Sequence, residues 1–454
     1  MDENLVTQST QFVLKKLAIV TKAGIFDIDG MFEELNIYDS MFNPCLSGSV
    51  LIKDAIGLTN KFSFDGSEVL IVDMGKTENT GLIRKSFRIY KQSNRKSVNP
   101  TTETYILHFV SDEFIVSQQL KINKSYEGLN SETVLKILEE YLGIKYGSGV
   151  GSVEGSSGIK KIVIPNLSPI DSLIWLAKRT VNYNLSPSYL FFENRWGYNF
   201  ITISELMNQE TSYSINYEPK NLGESDSTTT EFFGARYLEV ISQFDYNKSV
   251  RTGQYASTLV GFDAMTGHIG INQMDYDSLY STTKRANKTP NIGFVSNRDG
   301  EFNTEMYSSR VDIFPIYGSF AKQSNYVKTH DPKSITFVDD TYNYIQQRSA
   351  IIKNLMNQRI KLVMSGNFDY TSGLKVYVDV PKLSEISSAD LDNRDYSLSG
   401  NYLIVSTKHL ITPQKHETIM EVATDSNERR EVYKSSAIQE SVAESDYFDY
   451  TNYG

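Results

Sequence analysis

Cysteine is all but missing from these 454 residues: Cys45 stands alone. No intrachain disulfide can form, and no zinc site can rest on thiolates. Its neighbours Phe42, Pro44 and Leu46 mark it as a small core residue rather than a nucleophile. No uninterrupted run of about 18 apolar residues occurs, so no membrane insertion is expected. The start, Met1-Asp2-Glu3-Asn4, lacks the charged and apolar regions of a signal peptide, which predicts assembly in a reducing cytosol. Dense positive charge is missing as well. The formal net charge is −10 and the pI about 5.2, whereas a chain that grips nucleic acid needs a basic stripe to neutralise phosphates. The nearest approach to one, Lys91 to Lys96, is interrupted by Gln92, Ser93 and Asn94 and reads as a solvated loop.

Signatures of catalysis are equally sparse. The five histidines, His108, His268, His330, His409 and His416, form no HExxH; His409 and His416 face each other across a predicted hairpin and read as ordinary strand residues. Gly147-Ser148-Gly149-Val150-Gly151 completes neither GxGxxG nor GxxxxGK[ST], and a strand follows it, so it reads as a flexible loop. No GxSxG elbow is present. Asp112-Glu113 and Glu139-Glu140 are carboxylate pairs, but neighbouring acids diverge, whereas glycoside hydrolysis needs two facing across a cleft. No catalytic residue, metal or cofactor is assigned.

What is present is strand-forming. Hydrophobic residues make up 40%, aromatics 12%, with 29 Tyr against two Trp, a composition that suits sheets with polar outer faces. Residues 12–116 alternate with period two, as in Tyr105-Ile106-Leu107-His108-Phe109-Val110, between Gly, Asn and Asp turns. A different character follows. Ser131 is placed as the cap of a helix striped by Val134, Leu135, Ile137, Leu138, Tyr141 and Leu142, and Ile162-Val163-Ile164 is a short strand. Ser168-Pro169-Ile170-Asp171 opens a second helix, with Ser168 as N-cap, Pro169 at the first position and Asp171 in the positive first turn. Tyr189–Phe192 and Tyr198–Ile201 flank Gly197 as a hairpin whose tip carries Trp196, either an exposed contact or packed on its own domain. Residues 221–230 read as a linker, 245–335 as irregular β structure, and Thr341 to about Gln358 as a helix before further strands.

The fold class is therefore α+β, mainly β: two antiparallel β-barrel or sandwich domains plus smaller α+β inserts. The divisions are 1–117, a first β domain; 118–210, a small α+β domain; 211–245 with 336–427, a second β domain; 246–335, an inserted irregular β domain; and 428–454, a tail, either docked or disordered. The run Phe64-Asp65-Gly66-Ser67-Glu68-Val69 resembles Tyr370-Thr371-Ser372-Gly373-Leu374-Lys375, each leading into a strand that reaches an Asp, Asp73 or Asp379. That pairing fits an ancient duplication.

Several blocks taken in order resemble the central hub proteins of contractile-tailed phage baseplates. They are Phe32 to Phe42 with Leu46 to Asp54; Phe64 to Glu68; Lys124 to Gly128; Val163 to Pro169; Trp175-Leu176-Ala177; Phe191 to Phe200; Gln347-Arg348-Ser349; and Leu398 to His409. The positions that carry the likeness are Tyr38, Gly48, Asp54, Gly66, Glu68, Pro165, Ser168, Pro169, Trp175, Glu193, Gly197, Phe200, Gly400 and His409. Such a resemblance implies a structural, non-enzymatic homotrimer whose subunits each carry two tube-like domains. It would join a hexameric tail tube to a trimeric central spike and let DNA and tape measure pass through its lumen, in a virion tail baseplate assembled in the host cytoplasm; that the lumen is acidic and repels DNA is a separate hypothesis. The implied partners are further copies of the chain, the tail tube protein, the spike, the tape measure and other baseplate proteins; Trp196, Tyr447, Phe448 and Tyr450 are the candidate contacts. Alternatives are the hub of a related injection system or tailocin, and a tail-associated cell-wall hydrolase or glycan-binding protein.

Overall fold

A computed structural model describes residues 11–61, 64–77, 80–145, 147–217, 234–262, 269–275, 284–290, 295–296, 302–303, 310–315, 343–382 and 394–428. The linker expected at 221–230 and the aromatic tail with Tyr447, Phe448 and Tyr450 lie outside them.

The alternating N-terminal sequence forms strands β1 (Val13–Thr21), β2 (Gly24–Asp27), β3 (Phe32–Ser40), β4 (Ser47–Asp54), β5 (Val69–Gly75), β6 (Ile83–Asn99) and β7 (Thr102–Ser111), with a short α1 (Leu58–Lys61). Their spatial order is β3-β4-β7-β6-β5-β1-β2. Tyr105, Leu107 and Phe109 point inward, and Ile19 from one end of the order meets Phe32 and Leu35 from the other in a single core, so the sheet curls around it. Each such buried side chain contributes about 1.5–3 kcal/mol. Lys91 to Lys96 is not a loop but lies within the 17-residue β6. Lys91 pairs with His108 and Lys96 with Thr104; cross-strand pairing overrides a polar composition when the side chains can face water.

The middle of the chain packs α2 (Asp112–Gln118), β8 (Ser125–Gly128), α3 (Asn130–Leu142), β9 (Val150–Val153), β10 (Lys160–Val163), α4 (Pro169–Ala177), β11 (Tyr189–Asn194), β12 (Gly197–Thr202) and α5 (Ile203–Asn208) largely around a second core. Helix α4 starts as its sequence dictates, with Ser168 Oγ accepting from the Asp171 N–H at 3.2 Å and Pro169 in the first turn. Ser131 does not cap α3. It sits inside the helix, where its N–H donates to Ser156 Oγ at 3.0 Å and its hydroxyl accepts from the Ser156 N–H at 3.3 Å, so a tertiary partner claims it. The Gly147–Gly151 stretch is not simply a loop either: Val150 begins β9, which runs parallel to β12.

Then follow β13 (Tyr213–Asn216), β14 (Ala235–Ser242), α6 (Tyr246–Arg251), β15 (Ala256–Phe262), β16 (Ile269–Asp275), β17 (Thr289–Pro290), β18 (Val295–Ser296), β19 (Phe302–Asn303) and β20 (Arg310–Pro315). A π-helical turn (Asn343–Gln347) leads into α7 (Arg348–Leu355), and β21 (Gln358–Ser365), β22 (Lys375–Asp379), β23 (Gly400–Thr412), β24 (Lys415–Thr424) and β25 (Ser426–Asn427) complete the chain. The helix stops at Leu355 rather than Gln358, because Gln358 is already paired with Thr424. The supposedly irregular region holds an ordered sheet, β16-β15-β20; its exposed Ile269, Ile271, Val311 and Ile313 blur the periodicity that would have announced it.

The two β units are one continuous sheet, because β23 pairs with β3 from Ser406–Ser40 to Ile411–Leu35. They also repeat each other. The order β3-β4-β7-β6-β5 recurs as β14-β21-β24-β23-β22, with every adjacent pair antiparallel. The register recurs as well. Ser47 opposes Val110 where Arg359 opposes Ala423, and Val69 opposes Arg88 where Lys375 opposes Leu403. Two bulges fall at matching places, at Glu33 and Arg236 on the first strand and at Tyr90 and Val405 on the fourth, while the irregularities between Ser93 and Lys96 and between Val240 and Ser242 belong to one module each. Val69 and Lys375 are thus structural counterparts, as are Asp73 and Asp379, the acids near which the two strands compared in the sequence end.

Candidate functional site

Three parts of the chain meet at the joint between β3 and β23. Asp39, on β3 and 5% exposed, accepts from the Ser372 N–H at 3.0 Å and from the hydroxyls of Thr371 and Ser372 in the turn entering β22. The tip of the β11–β12 hairpin meets the same turn: Asn194 Nδ2 donates to the Ser372 carbonyl and the Arg195 N–H to Thr371 Oγ1, both at 3.2 Å. Arg195 also pairs with Asp369. Burial pushes the Asp39 carboxyl upward, and the donors from Ser372 and Thr371 oppose that shift. One strand away, Glu193, 1% exposed, accepts from the Leu46 N–H at 2.9 Å and from Ser111 Oγ, and pairs with Lys85. Arg348, at the start of α7, donates to the carbonyls of Pro187 at 3.0 Å, Ala177 at 3.3 Å and Tyr189. Buried charged groups with this many partners resist displacement, because removing one partner strands the others.

The motif residues divide between this joint and the local frame. Tyr38 lies on the joint's open face, 39% exposed, with Lys408 Nζ 5.8 Å above its ring. Gly48 is obligatory: a Cβ there would sit 2.2 Å from the Asn36 carbonyl oxygen and 2.3 Å from the Phe109 ring. His409 pairs with Ile37 across the joint, and its Nδ1 lies 3.2 Å from His416 Nε2 with Phe368 packed on both rings. Burial lowers the pKa of both imidazoles, that of His409 to about 3. Gly400 opens β23. Elsewhere, Asp54 accepts from the Ile56 and Gly57 N–H groups, and Glu68 from those of Asp65 and Gly66, each closing a turn. Pro165 follows β10; Ser168 and Pro169 start α4; Trp175 stacks under Arg179; and Phe200 stacks on Tyr189. Gly197, at φ +122°, passes so close to Gly149 that a Cβ would stand 2.3 Å from its carbonyl oxygen. Trp196 is 49% exposed at the hairpin tip.

Several of the groups singled out in the sequence are buried or paired among the described residues. Burial pushes the Cys45 thiol up to about 12. Asp112 pairs with Arg88 at 2.7 Å, Glu113 faces Tyr198, and Glu140 pairs with Lys124. Asp39, Lys85, Thr371 and Ser372 were not among the motif positions. The one local signal was an acid at the inward position that continues the alternation of Leu35 and Ile37. Over the joint, the open face of the sheet forms a hollow of about 490 Å³ bounded by Tyr38, Ile241, Lys361, Lys408 and Glu421.

No protein-family model matches the chain. It is 20% identical over 427 residues, 92% of this chain and 95% of the other, to a probable baseplate hub protein, gp334, of Vibrio phage KVP40. Among solved structures, a tail protein from Neisseria meningitidis MC58 aligns at TM-score 0.49 and 9% identity, covering 91% of this chain and 97% of that one. The 43 kDa tail protein of prophage MuSo2 from Shewanella oneidensis aligns at 0.48 and 11%, covering 90% and 98%. Over nearly its whole length, this chain is similar to a phage baseplate hub protein, in keeping with the resemblance its ordered motifs carry.

Proposed function

We propose that the chain is a structural subunit of the hub of a contractile-tail baseplate, in a phage or a related injection machine. Three copies would form a ring of six look-alike modules that meets a sixfold tail tube on one side and a threefold spike on the other. The observation that carries this reading is the repetition of strand order, register and bulges between β3–β7 and β14–β24 within one chain. Two equivalent modules per subunit let a threefold assembly present near-sixfold contacts, and heterologous contacts close such a ring. The expected divisions at 1–117, 118–210, 211–245 with 336–427, and 246–335 fit this plan, since residues of β13, β14 and β21–β24 share one core although the inserted sheet interrupts them in sequence. The buried ties of Asp39, Glu193 and Arg348 make the subunit a stiff spacer, which suits a mechanical part.

The open face of the joined sheet bears paired charges of both signs, Arg359–Glu421 at 3.0 Å, Lys361–Glu239 at 3.0 Å and Lys415–Glu417 at 3.1 Å. If this face lines the channel, it neither grips nor strongly repels nucleic acid, and passage depends on the absence of a basic stripe. The test is the solution mass of the purified chain, alone and with its spike partner. Three times 51.5 kDa is expected; a monomer under every condition removes the ring.

A further inference from the structure

The joint inside the chain has a design whose two halves also occur unused. It is formed by β3, the first strand of one module, added to the stretch of β23 that follows the bulge at Val405 in the other. The counterpart of that stretch is β6 beyond its bulge at Tyr90. Among the described residues, β5 leaves β6 at Arg88, and only β7 accompanies it further. The counterpart of β3 is β14. Among the described residues it has β21 on one side and, on the other, only the bridge from Tyr217 to Ala235 at its first residue. Tyr237, Val240 and Ile241 are 50%, 40% and 41% exposed. Apolar side chains on an open edge invite pairing unless something covers them.

We propose that β14 of one copy of this chain adds to β6 of the next copy, in the register that β3 takes on β23. The proposal rests on the ring reading above and specifies its contact. Strand β6 carries a further irregularity between Ser93 and Lys96, and β14 one between Val240 and Ser242, that β23 and β3 lack, so the register is transferred by level in the sheet, through the partners on the neighbouring strands. Leu410 opposes Asn36 in the internal joint. Leu410 and Lys96 are counterparts, facing Glu417 and Thr104, which are themselves counterparts; Asn36 and Glu239 are counterparts through Ser49 and Lys361. Lys96 of one copy therefore stands opposite Glu239 of the next. The charges are complementary, and Glu239 already accepts from Lys361 of its own chain at 3.0 Å, so it sits between two lysines.

The pair also falls at a favourable position. The Met41 N–H donates to the directly opposite Val405 carbonyl at 2.9 Å. Alternation from that pair places Leu410 and Asn36, and hence Lys96 and Glu239, at a non-hydrogen-bonded position, where opposite side chains approach most closely. The donor edge and the receiving edge are different strands, so the contact can repeat from copy to copy in one direction. The result is the head-to-tail interface that a closed ring requires.

The test uses the full chain with Lys96→Cys and Glu239→Cys, made singly and together. Cys45, 7% exposed, is the only other thiol. Under mild oxidation neither single variant should cross-link by itself, an equimolar mixture should give a two-chain product, and the double variant should give covalent three-chain rings. Lys96→Cys with Tyr237→Cys, out of register by two residues, should not link. A wild-type trimer in sedimentation with no link between positions 96 and 239 overturns this joint and leaves the ring standing. A wild-type chain that stays monomeric, with no link in the double variant, overturns both.

Discussion

Asp39 shows how much of this molecule rests on single buried groups. Its carboxyl reaches Ser372, 333 positions along the chain, so truncation would strand a buried N–H and two hydroxyls together. Asp39→Ala is expected to lower unfolding free energy by about 3 kcal/mol, read as an earlier urea midpoint, while Asp39→Asn, which keeps an acceptor, loses less. Protonation of the His409–His416 pair makes a second prediction. Their folded pKa values are depressed below the ordinary 6.5, that of His409 to about 3. The unfolded chain therefore binds protons that the folded chain refuses, so the stability they confer is present above pH about 6.5 and lost as pH falls toward 3. The urea midpoint should fall across that window, and His409→Gln should flatten the decline; an acid limb unchanged by the substitution contradicts the assignment. Of these residues, His409 was visible in sequence as a hairpin position. Asp39 as an anchor was not, because its partners are remote and no spacing rule connects them.

At the scale of elements, local chemistry was decisive where the determinant and its target are neighbours. Ser168 and Pro169 start α4 where their side chains dictate, and Ser168→Ala should cost about 1 kcal/mol in thermal or urea unfolding. Gly197 pairs with Asn194 to close the two-residue Arg195–Trp196 hairpin turn and touches Gly149. Gly197→Ala should be worse than a cap deletion, by more than about 2 kcal/mol, since it combines an unfavourable φ with a backbone clash; calorimetry would compare the two. Ser131 and Lys91–Lys96 mark the opposite case. A serine before an apolar stripe looks like a cap until Ser156 arrives from another part of the chain. A polar run looks like a loop until β7 supplies its backbone partners.

For the whole molecule, the recurring register makes a visible prediction. If three copies form the proposed ring, end-on images should show six similar lobes around the opening rather than three, since each chain carries two modules of like strand order. Three lobes of unlike shape would contradict the plan. The sequence alone determined the mainly β character, the capped helix and hairpin of the middle unit, the lack of a thiol framework and the faint repeat between residues 64–69 and 370–375. Each follows from side-chain chemistry acting within a few residues, or from composition summed over the chain. Only the tertiary structure decided that the two β units are one sheet, that Asp39, Glu193 and Arg348 tie the parts together, and that among the described residues the far part of β6 and most of β14 are paired along one side. Strand pairing across hundreds of residues is chosen by the packing of whole modules against each other, and no local pattern encodes which distant edge a strand will meet.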